Sequence, residues 1–370
     1  MNIKNILYIG SVYPTLHGAS VAAKFLVEGL RDAGYNVSLL NTVFNESLIS
    51  LEKFSLIKIF KFVVYYLNLL LILIFKKIDC VIIIHSLRWI AFYKDSLYIR
   101  LCYIFNKKII LYAQGEGFFE LFYEKLPNKK KKYIDRIFRK ISKVVVVSNS
   151  IKKEYLKWLS EDDINVIFNI CQPIIPQNEE IKKKDNEEIN LLFLSMIIEN
   201  KGIFILLEAF KDLLNKYNNL RLIVCGDFLS SREIDKNRFF NFIKDNKVGN
   251  FIDYRGRVSG ELKKQAYLDA DIFILPTLRE SFGIVNIEAM SSALPVISTC
   301  QGAIPEYIIN YENGFIVNPL NSENLSKHIE LVLKDHDLKY QMGLNNREKF
   351  FEMFSEDIFI NKWSRCLDSL

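Results

Sequence analysis

Cysteine is sparse in this 370-residue chain, and its six copies are scattered, with no Cys-x-x-Cys pair. This distribution excludes the usual zinc-binding patterns and indicates reduced thiols in a cytoplasmic protein. The four histidines also lack the spacing of metal ligands. No Gly-x-Gly-x-x-Gly follows the first predicted strand, which argues against a dinucleotide-dependent oxidoreductase. The N-terminus has no signal-peptide pattern and is predicted to begin as a β-strand.

Positive charge is concentrated in the N-terminal half. Residues 1–175 hold 25 Lys/Arg against 14 Asp/Glu, a net of +11, whereas residues 176–370 hold 24 against 29, a net of −5. A basic half fits nucleic acid or an anionic membrane surface as partner. Because the chain has neither a zinc finger nor a basic repeat interleaved with aromatics, we predict no nucleic-acid partner. We predict a cytoplasmic location, with peripheral attachment to the inner face of the cell membrane as an open alternative.

Alternating strand and helix patterns predict an α/β fold with parallel sheets. We expect two doubly wound, Rossmann-like domains, residues 1–172 and 173–355, that face a central cleft. The last segment, 356–370, is a helix that is a candidate to pack back on the first domain. The polar segment 171–188 is the predicted linker. Because such sheets bind ligands at the carboxyl ends of their strands, a ligand shared by both domains would lie in the cleft.

One apolar run, Phe62–Phe75, is flanked by lysines. Fourteen residues span only about 21 Å as a helix, short of the ~30 Å hydrocarbon core, so we predict that it does not cross a membrane. Two interpretations remain open: a buried helix before the strand Cys80–Ile84, or a helix docked at the membrane interface. The basic run Lys129–Lys132 is either a solvated face or a source of membrane attraction.

Two glutamates eight residues apart, Glu280 and Glu288, follow a predicted apolar strand and lie at the start of a predicted helix. They resemble the Glu-x7-Glu motif of the GT4 family of retaining glycosyltransferases, which have the GT-B fold. Further segments follow the order and spacing of that family: Gly10 with Pro14 and Gly18, Lys201-Gly202, Arg255–Val258, Asp269–Asp271, Leu275-Pro276, Pro295-Val296, Gly302–Glu306 and Asn313-Gly314. The likeness covers nearly the whole chain and is densest in the second domain.

The resemblance implies a nucleotide-diphosphate sugar as donor. In that reading the Lys201 ammonium binds the diphosphate, Glu288 holds the ribose hydroxyls and Glu280 holds a hydroxyl of the donor sugar. Backbone amides at the helix start would bind phosphate. The implied donor site consists of Gly18, Lys201, Val258, Glu280, Ser281, Phe282, Gly283 and Glu288.

Two positions depart from the family pattern. The family's Arg before its Lys-Gly is replaced by Ser195-Met196, so a cation is missing there. The His of the first domain is replaced by Gln114, which hydrogen-bonds but carries no charge. The catalytic set implied by the resemblance is therefore Glu280, Lys201 and Gln114. His85, Gln114 and Gly115 are acceptor-side candidates, although a local packing role for His85 stays open.

The resemblance implies a retaining mechanism in which the leaving phosphate takes the acceptor's proton, so no protein base is strictly required. The two Asp-x-Asp segments, Asp269–Asp271 and Asp335–Asp337, lie outside any plausible metal site, and we expect neither metal nor cofactor. We predict a metal-independent hexosyltransferase with a lipid-linked or surface-polysaccharide acceptor. The alternatives are a non-catalytic protein that binds a nucleotide sugar or a partner, and another GT-B enzyme such as a sugar-nucleotide epimerase.

Overall fold

The computed structural model describes residues 3–12, 18–43, 56–181, 188–229 and 232–370, with only the backbone of Gly18 and Ala19. Pro14 of the glycine loop lies outside the described residues. The chain divides into two compact units. The first contains Met1–Ile170 together with Glu356–Leu370, and the second contains Cys171–Ser355. The sequence places this boundary after residue 172.

The first unit is built on a six-stranded parallel sheet with the strand order β2-β1-β3-β4-β5-β6. Its strands are β1 Asn5–Gly10, β2 Asn36–Asn41, β3 Cys80–Ile84, β4 Lys108–Ala113, β5 Lys143–Val146 and β6 Ile164–Val166. Its helices are α1 Gly18–Asp32, α2 Leu56–Phe75, α3 Trp89–Ile104, α4 Asn128–Phe138, α5 Asn149–Lys152 and α12 Glu356–Asp368. Buried β-branched and leucine residues fill the strands, as expected of a parallel sheet covered on both faces. Helix α12 contacts α1 within this unit.

The sixth strand differs from its prediction. An apolar run over Val166–Asn169 predicts a strand there, whereas β6 pairs with β5 over Ile164–Val166. Asn169 is buried beyond the strand end, and its Oδ1 accepts a hydrogen bond of 2.7 Å from the Tyr112 hydroxyl. Ile167 and Ile170 are buried although they lie beyond the strand, and burial by packing cannot be told from burial by strand pairing in the sequence.

Helix α2 differs from its prediction in both length and burial. It has 20 residues, and it is the one helix among the described residues that is long and apolar enough to cross a membrane by length and composition. At 1.5 Å per residue it extends about 30 Å, so the length estimate taken from Phe62–Phe75 alone is wrong. The interpretation as a buried helix is also wrong, because only Leu69 and Leu73 are buried.

The second unit is built on a parallel sheet with the strand order β12-β11-β10-β7-β8-β9. Its strands are β7 Ile189–Leu194, β8 Leu220–Cys225, β9 Ile252–Gly256, β10 Ile272–Leu275, β11 Val296–Thr299 and β12 Gly314–Val317. Its helices are α6 Ile203–Leu214, α7 Glu233–Asp245, α8 Gly260–Asp269, α9 Ile284–Ser291, α10 Ser322–Lys334 and α11 His336–Met353. Strands β7 and β10 are neighbours at the centre of the sheet, so the loops after them meet at its carboxyl edge.

Candidate active site

The loop after β7 is joined to the loop after β10. The Asn200 carbonyl accepts hydrogen bonds from the backbone N–H of Leu278 at 2.9 Å and from the Thr277 hydroxyl at 3.1 Å. Gly202 closes the first loop with φ +77°, and a Cβ there would overlap the carbonyl oxygen of Pro276. The loop therefore needs glycine for both its left-handed conformation and its close backbone approach.

This junction brings two of the predicted site residues together. Lys201 Nζ lies 2.7 Å from Glu280 Oε2, and the two side chains are only 19% and 18% exposed. The Ser281 backbone N–H donates to Glu280 Oε1 at 3.1 Å. Both carboxylate oxygens of Glu280 are thus oriented. Because an ammonium has three N–H donors, Lys201 can hold Glu280 and still bind an anion.

The second glutamate lies on α9, whose start is fixed by buried hydrogen bonds. Gly283 precedes the helix with φ +81°. The Tyr307 hydroxyl donates to the Phe282 carbonyl at 2.6 Å and accepts from Asn286 Nδ2 at 3.1 Å. The Phe282 ring packs against Tyr307 and is buried. The Phe282 side chain is thus part of the core, and only its backbone is suited to the predicted contact with phosphate.

Glu288 is 7% exposed, and it has a partner for each oxygen. Oε1 accepts from Lys263 Nζ, and Oε2 accepts from the Tyr267 hydroxyl at 2.8 Å. Burial, together with the nearby charge of Glu288, raises the pKa of Tyr267 well above its usual value, so this hydroxyl remains a donor. A carboxylate has about four lone-pair positions, which leaves Glu288 capacity for ligand hydroxyls.

Comparison with known families shows what the segment that holds this arrangement is similar to. The family described as glycosyl transferases group 1 matches residues 175–349. This segment, here called the group 1 domain, is similar to that family over just under half of the chain. Among curated relatives, the capsular polysaccharide biosynthesis glycosyltransferase CapM of Staphylococcus aureus is 30% identical over 180 residues, 49% of this chain and 46% of that protein. The lipopolysaccharide 1,2-N-acetylglucosaminetransferase of Salmonella typhimurium is 26% identical over 224 residues, 58% of each. The chain thus spans about half the length of the curated relatives it matches.

Solved structures extend the likeness of the fold beyond the group 1 domain. A glycosyltransferase from Rickettsia africae superposes with a TM-score of 0.78 over 100% of this chain and 99% of that one, at 24% identity. Anabaena HepE, solved in complex with UDP, gives 0.75 over 100% of both chains at 14% identity. These neighbours and the two parallel sheets confirm the predicted GT-B fold.

Sequence reasoning missed two residues of the group 1 domain that hold Glu288. Lys263 and Tyr267 stand four residues apart on α8, so they share one face of that helix. Their spacing is visible in the sequence. The carboxylate that accepts their hydrogen bonds, Glu288, lies more than 20 residues further on, so the partnership is not visible. Val258, a predicted donor contact, is half-buried in the loop between β9 and α8.

The cation expected at Ser195-Met196 is not supplied by Arg255. The Arg255 guanidinium binds Asp253 and Asp269, each at 2.7 Å. Arg238 on α7 reaches the Lys201 loop, with Nη1 3.2 Å from a carboxylate oxygen of Glu199.

The first Asp-x-Asp segment has structural partners in the group 1 domain. Asp269 binds the Arg255 guanidinium. Asp271 is 5% exposed, accepts the Asn190 backbone N–H at 2.9 Å and lies 3.6 Å from Lys339 Nζ. Both carboxylates thus have an assigned partner within the unit.

The acceptor-side candidates lie in the first unit, at the carboxyl ends of neighbouring strands. His85 follows β3 and its backbone N–H donates to the Tyr112 carbonyl of β4 at 3.0 Å. Gln114 and Gly115 follow β4. Both polar atoms of the Gln114 side chain are buried, and among the described residues neither makes a hydrogen bond of ordinary geometry, although the Tyr112 hydroxyl is near enough to interact with it.

His85 lies inside an aromatic cluster. Its ring is 4.4 Å from Phe118 and 5.8 Å from Tyr155, measured between centroids. Burial lowers the pKa of His85 to about 3, so the ring is neutral at physiological pH. Neither ring nitrogen has a hydrogen-bond partner within the described residues. This environment favours the packing role over the acceptor-side role.

Gly18, the remaining predicted donor residue, is the first residue of α1 in the first unit. Its position at a helix start suits the close backbone approach that the resemblance implies.

Proposed function

We propose that this chain is a retaining, metal-independent glycosyltransferase that moves a sugar from a nucleotide-diphosphate sugar to a lipid-linked or surface-polysaccharide acceptor. One observation carries the proposal: two carboxylates in a group 1 domain, Glu280 and Glu288, are each oriented by a lysine and a second donor at one sheet edge. Oriented carboxylates suit the ribose diol and sugar hydroxyls of such a donor.

Each residue has a separate task in this proposal. Lys201 binds the diphosphate as a point charge while it keeps Glu280 in place. Glu280 accepts a hydroxyl of the donor sugar, and Glu288, held by Tyr267, accepts the ribose hydroxyls. The charge that develops on the leaving diphosphate is stabilised by Lys201, a preorganised donor at the point where charge appears.

The proton of the acceptor hydroxyl passes to the leaving phosphate oxygen on the same face as the departing bond, as the family resemblance implies. Gln114 then serves to hydrogen-bond rather than to accept a proton. Support for metal independence comes from Asp269 and Asp271, whose carboxylates bind Arg255 and the Asn190 backbone. Activity should therefore persist in excess EDTA, and loss of activity that manganese or magnesium restores would contradict this part of the proposal.

The acceptor class is supported by relatives named for capsular polysaccharide and lipopolysaccharide synthesis. The donor is tested first with UDP-sugars, because the structural neighbour HepE was solved with UDP and with UDP-glucose. A thermal-shift screen of UDP, GDP, ADP and their sugars would identify the base. Nucleotide release on adding a lipid-linked glycan would then show transfer, and Glu280→Gln should lower the turnover number while nucleotide alone still binds.

A non-catalytic nucleotide-sugar binder is the second candidate. It is favoured by Ser195-Met196, where the family's cation is missing, and by Gln114 in place of histidine. The two candidates differ in one measurement. A binder retains donor affinity but releases no nucleotide with any glycan acceptor, whereas the transferase releases one nucleotide for each sugar transferred.

A further inference from the structure

The first unit presents an exposed apolar surface along α2. Ten large apolar side chains of this helix are more than a third exposed, and they recur on one side of it: Leu56, Ile57, Ile59, Phe60, Val63, Val64, Leu67, Leu71, Ile74 and Phe75. The most exposed of them are Leu56 at 81% and Phe75 at 79%, and Phe60 is 70% exposed. Soluble proteins rarely expose so continuous an apolar stripe, and such patches mark sites of interaction with a membrane or a protein.

Basic and aromatic side chains adjoin this stripe. Helix α2 packs on α3, and α3 packs on α4, so the three helices form one layer, here called the α2–α4 face. Cations on the face lie over aromatic rings: Lys130 is 4.5 Å from the Trp89 ring centroid, and Lys140 is 4.0 Å from that of Tyr103. Helix α4 opens with four successive lysines, Lys129–Lys132. Amphipathic aromatics beside lysines and a fully apolar stripe match the layers of a membrane interface.

We propose that the α2–α4 face docks on an anionic phospholipid surface, with the apolar stripe of α2 in the headgroup and acyl boundary and the lysines of α4 on the lipid phosphates. Charge complementarity selects this partner, since the unit carries an excess of cations and anionic lipids attract such clusters. The inference rests on the surface alone and needs no transferase activity, although it would place a lipid-linked acceptor within reach.

The contacts of α2 favour a helix that lies in the interface over one that spans the bilayer. Leu69 and Leu73 are buried against the unit. The Tyr65 hydroxyl donates to the Val43 carbonyl at 3.1 Å, and the Phe62 ring lies 5.6 Å from the Tyr98 ring. A helix that crossed the bilayer would give up these contacts, whereas docking through the opposite face keeps them.

The test is flotation of the purified full-length chain with vesicles of phosphatidylglycerol and phosphatidylcholine or of phosphatidylcholine alone, at low and high salt. Binding should require the anionic lipid and weaken at high salt. Phe60→Glu with Leu67→Glu should lower the partition coefficient by roughly tenfold or more, because both side chains would carry charge into the apolar boundary. The matched control is Ile234→Glu with Leu320→Glu, which alters apolar side chains of the second unit that are at least as exposed and should leave binding unchanged.

A second variant isolates the charge. Lys129, Lys130 and Lys132 changed to Gln should also lower binding roughly tenfold or more, while the same change at Lys236, Lys244 and Lys247 in the second unit should not. Circular dichroism of every variant verifies folding. Equal binding to both vesicle types, or none to either, would overturn the proposal. So would resistance to carbonate extraction, which indicates a spanning helix, or a dimer that the α2 variant dissociates while vesicle binding stays unchanged.

Discussion

The polar residues at the carboxyl edges of the two sheets differ in their hydrogen bonding. In the second unit, each oxygen of Glu280 and Glu288 has a hydrogen-bond partner, and three glycines with positive φ, Gly202, Gly283 and Gly302, lie in the loops around them. In the first unit, the side chains of His85 and Gln114 are buried without such partners among the described residues. The first arrangement is preorganised, and the second leaves polar atoms without hydrogen bonds of ordinary geometry in the part of the unit that the structure describes.

This contrast matches what each site would have to recognise under the proposed function. A diphosphate and a ribose are charged or strongly polar, and a site for them gains by fixing its own charges in advance. A buried amide that makes no hydrogen bond of ordinary geometry, as Gln114 does not among the described residues, costs free energy, which native structures accept mainly where a ligand or water completes the bonding. The hydrogen bonding on the proposed donor side can therefore be explained from the residues present. On the proposed acceptor side it depends on a bound ligand or water.

The largest expected effect is on the loops of the second unit. Gly302 has φ +55°, and a Cβ there would overlap the carbonyl oxygens of Glu280 and Ser281. Gly302→Ala should lower the free energy of unfolding by about 3 kcal/mol, since both backbone strain and overlap act. Gly34→Ala is the matched control, because Gly34 has φ +90° and nothing within 4 Å of its Cβ position. It should cost about 1 kcal/mol. Equal losses in urea unfolding would show that the loops yield easily and that the site is not preorganised.

Nearly as large an effect is expected on donor binding. Glu288→Ala removes a charged hydrogen bond to the ribose and should weaken nucleotide-sugar binding by about 1.5–3 kcal/mol. Lys201→Ala should weaken a nucleoside diphosphate more than the monophosphate, because the ammonium acts on the diphosphate. Calorimetry measures both. Unchanged donor affinity in folded Glu288→Ala protein, or an equal loss for the two nucleotides with Lys201→Ala, would remove the assigned role.

Local sequence patterns predicted much of the second unit because its chemistry is local. Short apolar runs that end at turn residues predict strands over Ile272–Leu275 and Gly314–Val317, and the structure has both strands with these bounds. The partnership of Lys201 with Glu280 is different. It joins residues 79 positions apart and needs the neighbouring order of β7 and β10, which the sequence alone does not contain.

The exposure of α2 could not be predicted for a related reason. Hydrophobicity indicates that a segment leaves water, but not whether protein or lipid covers it. The length of the helix was underestimated because Lys58 and Lys61 interrupt the apolar pattern without ending the helix. Burial of Asn169 beyond β6 was missed because tertiary packing, rather than strand pairing, covers that segment.

A moderate, pH-dependent effect is expected in the first unit. The pKa of His85 is about 3 in the folded state and about 6.5 when unfolded. Between those values the unfolded chain binds more protons, so stability is full above pH 6.5 and is lost as the pH falls toward 3. At pH 5 the loss is about 2 kcal/mol. His85→Phe should remove this part of the dependence, because phenylalanine fills the aromatic cluster without titrating.

Tryptophan fluorescence measures this effect selectively, because the three tryptophans, Trp89, Trp158 and Trp363, all belong to the first unit. His336→Gln is the control, since His336 is an exposed residue of α11 in the second unit. If the stability of His85→Phe falls between pH 7 and pH 5 as steeply as that of the unaltered protein, His85 is protonated in the folded state. The His85 side chain at the sheet edge of the first unit would then be charged rather than neutral.

The smallest expected effect separates positioning from binding at Glu288. Tyr267→Phe removes only the hydroxyl that donates to Glu288 Oε2, while Lys263 still binds Oε1. Donor affinity should fall by about 0.5–1.5 kcal/mol, less than for Glu288→Ala, because the carboxylate remains but is less firmly oriented. Tyr340→Phe is the matched control: its hydroxyl donates to the Ile181 carbonyl at 3.3 Å rather than to Glu288, so donor affinity should stay unchanged. If Tyr267→Phe binds the donor as tightly as the unaltered protein, Lys263 alone orients Glu288, and the preorganisation of this site depends on its ion pairs rather than on its buried hydroxyl.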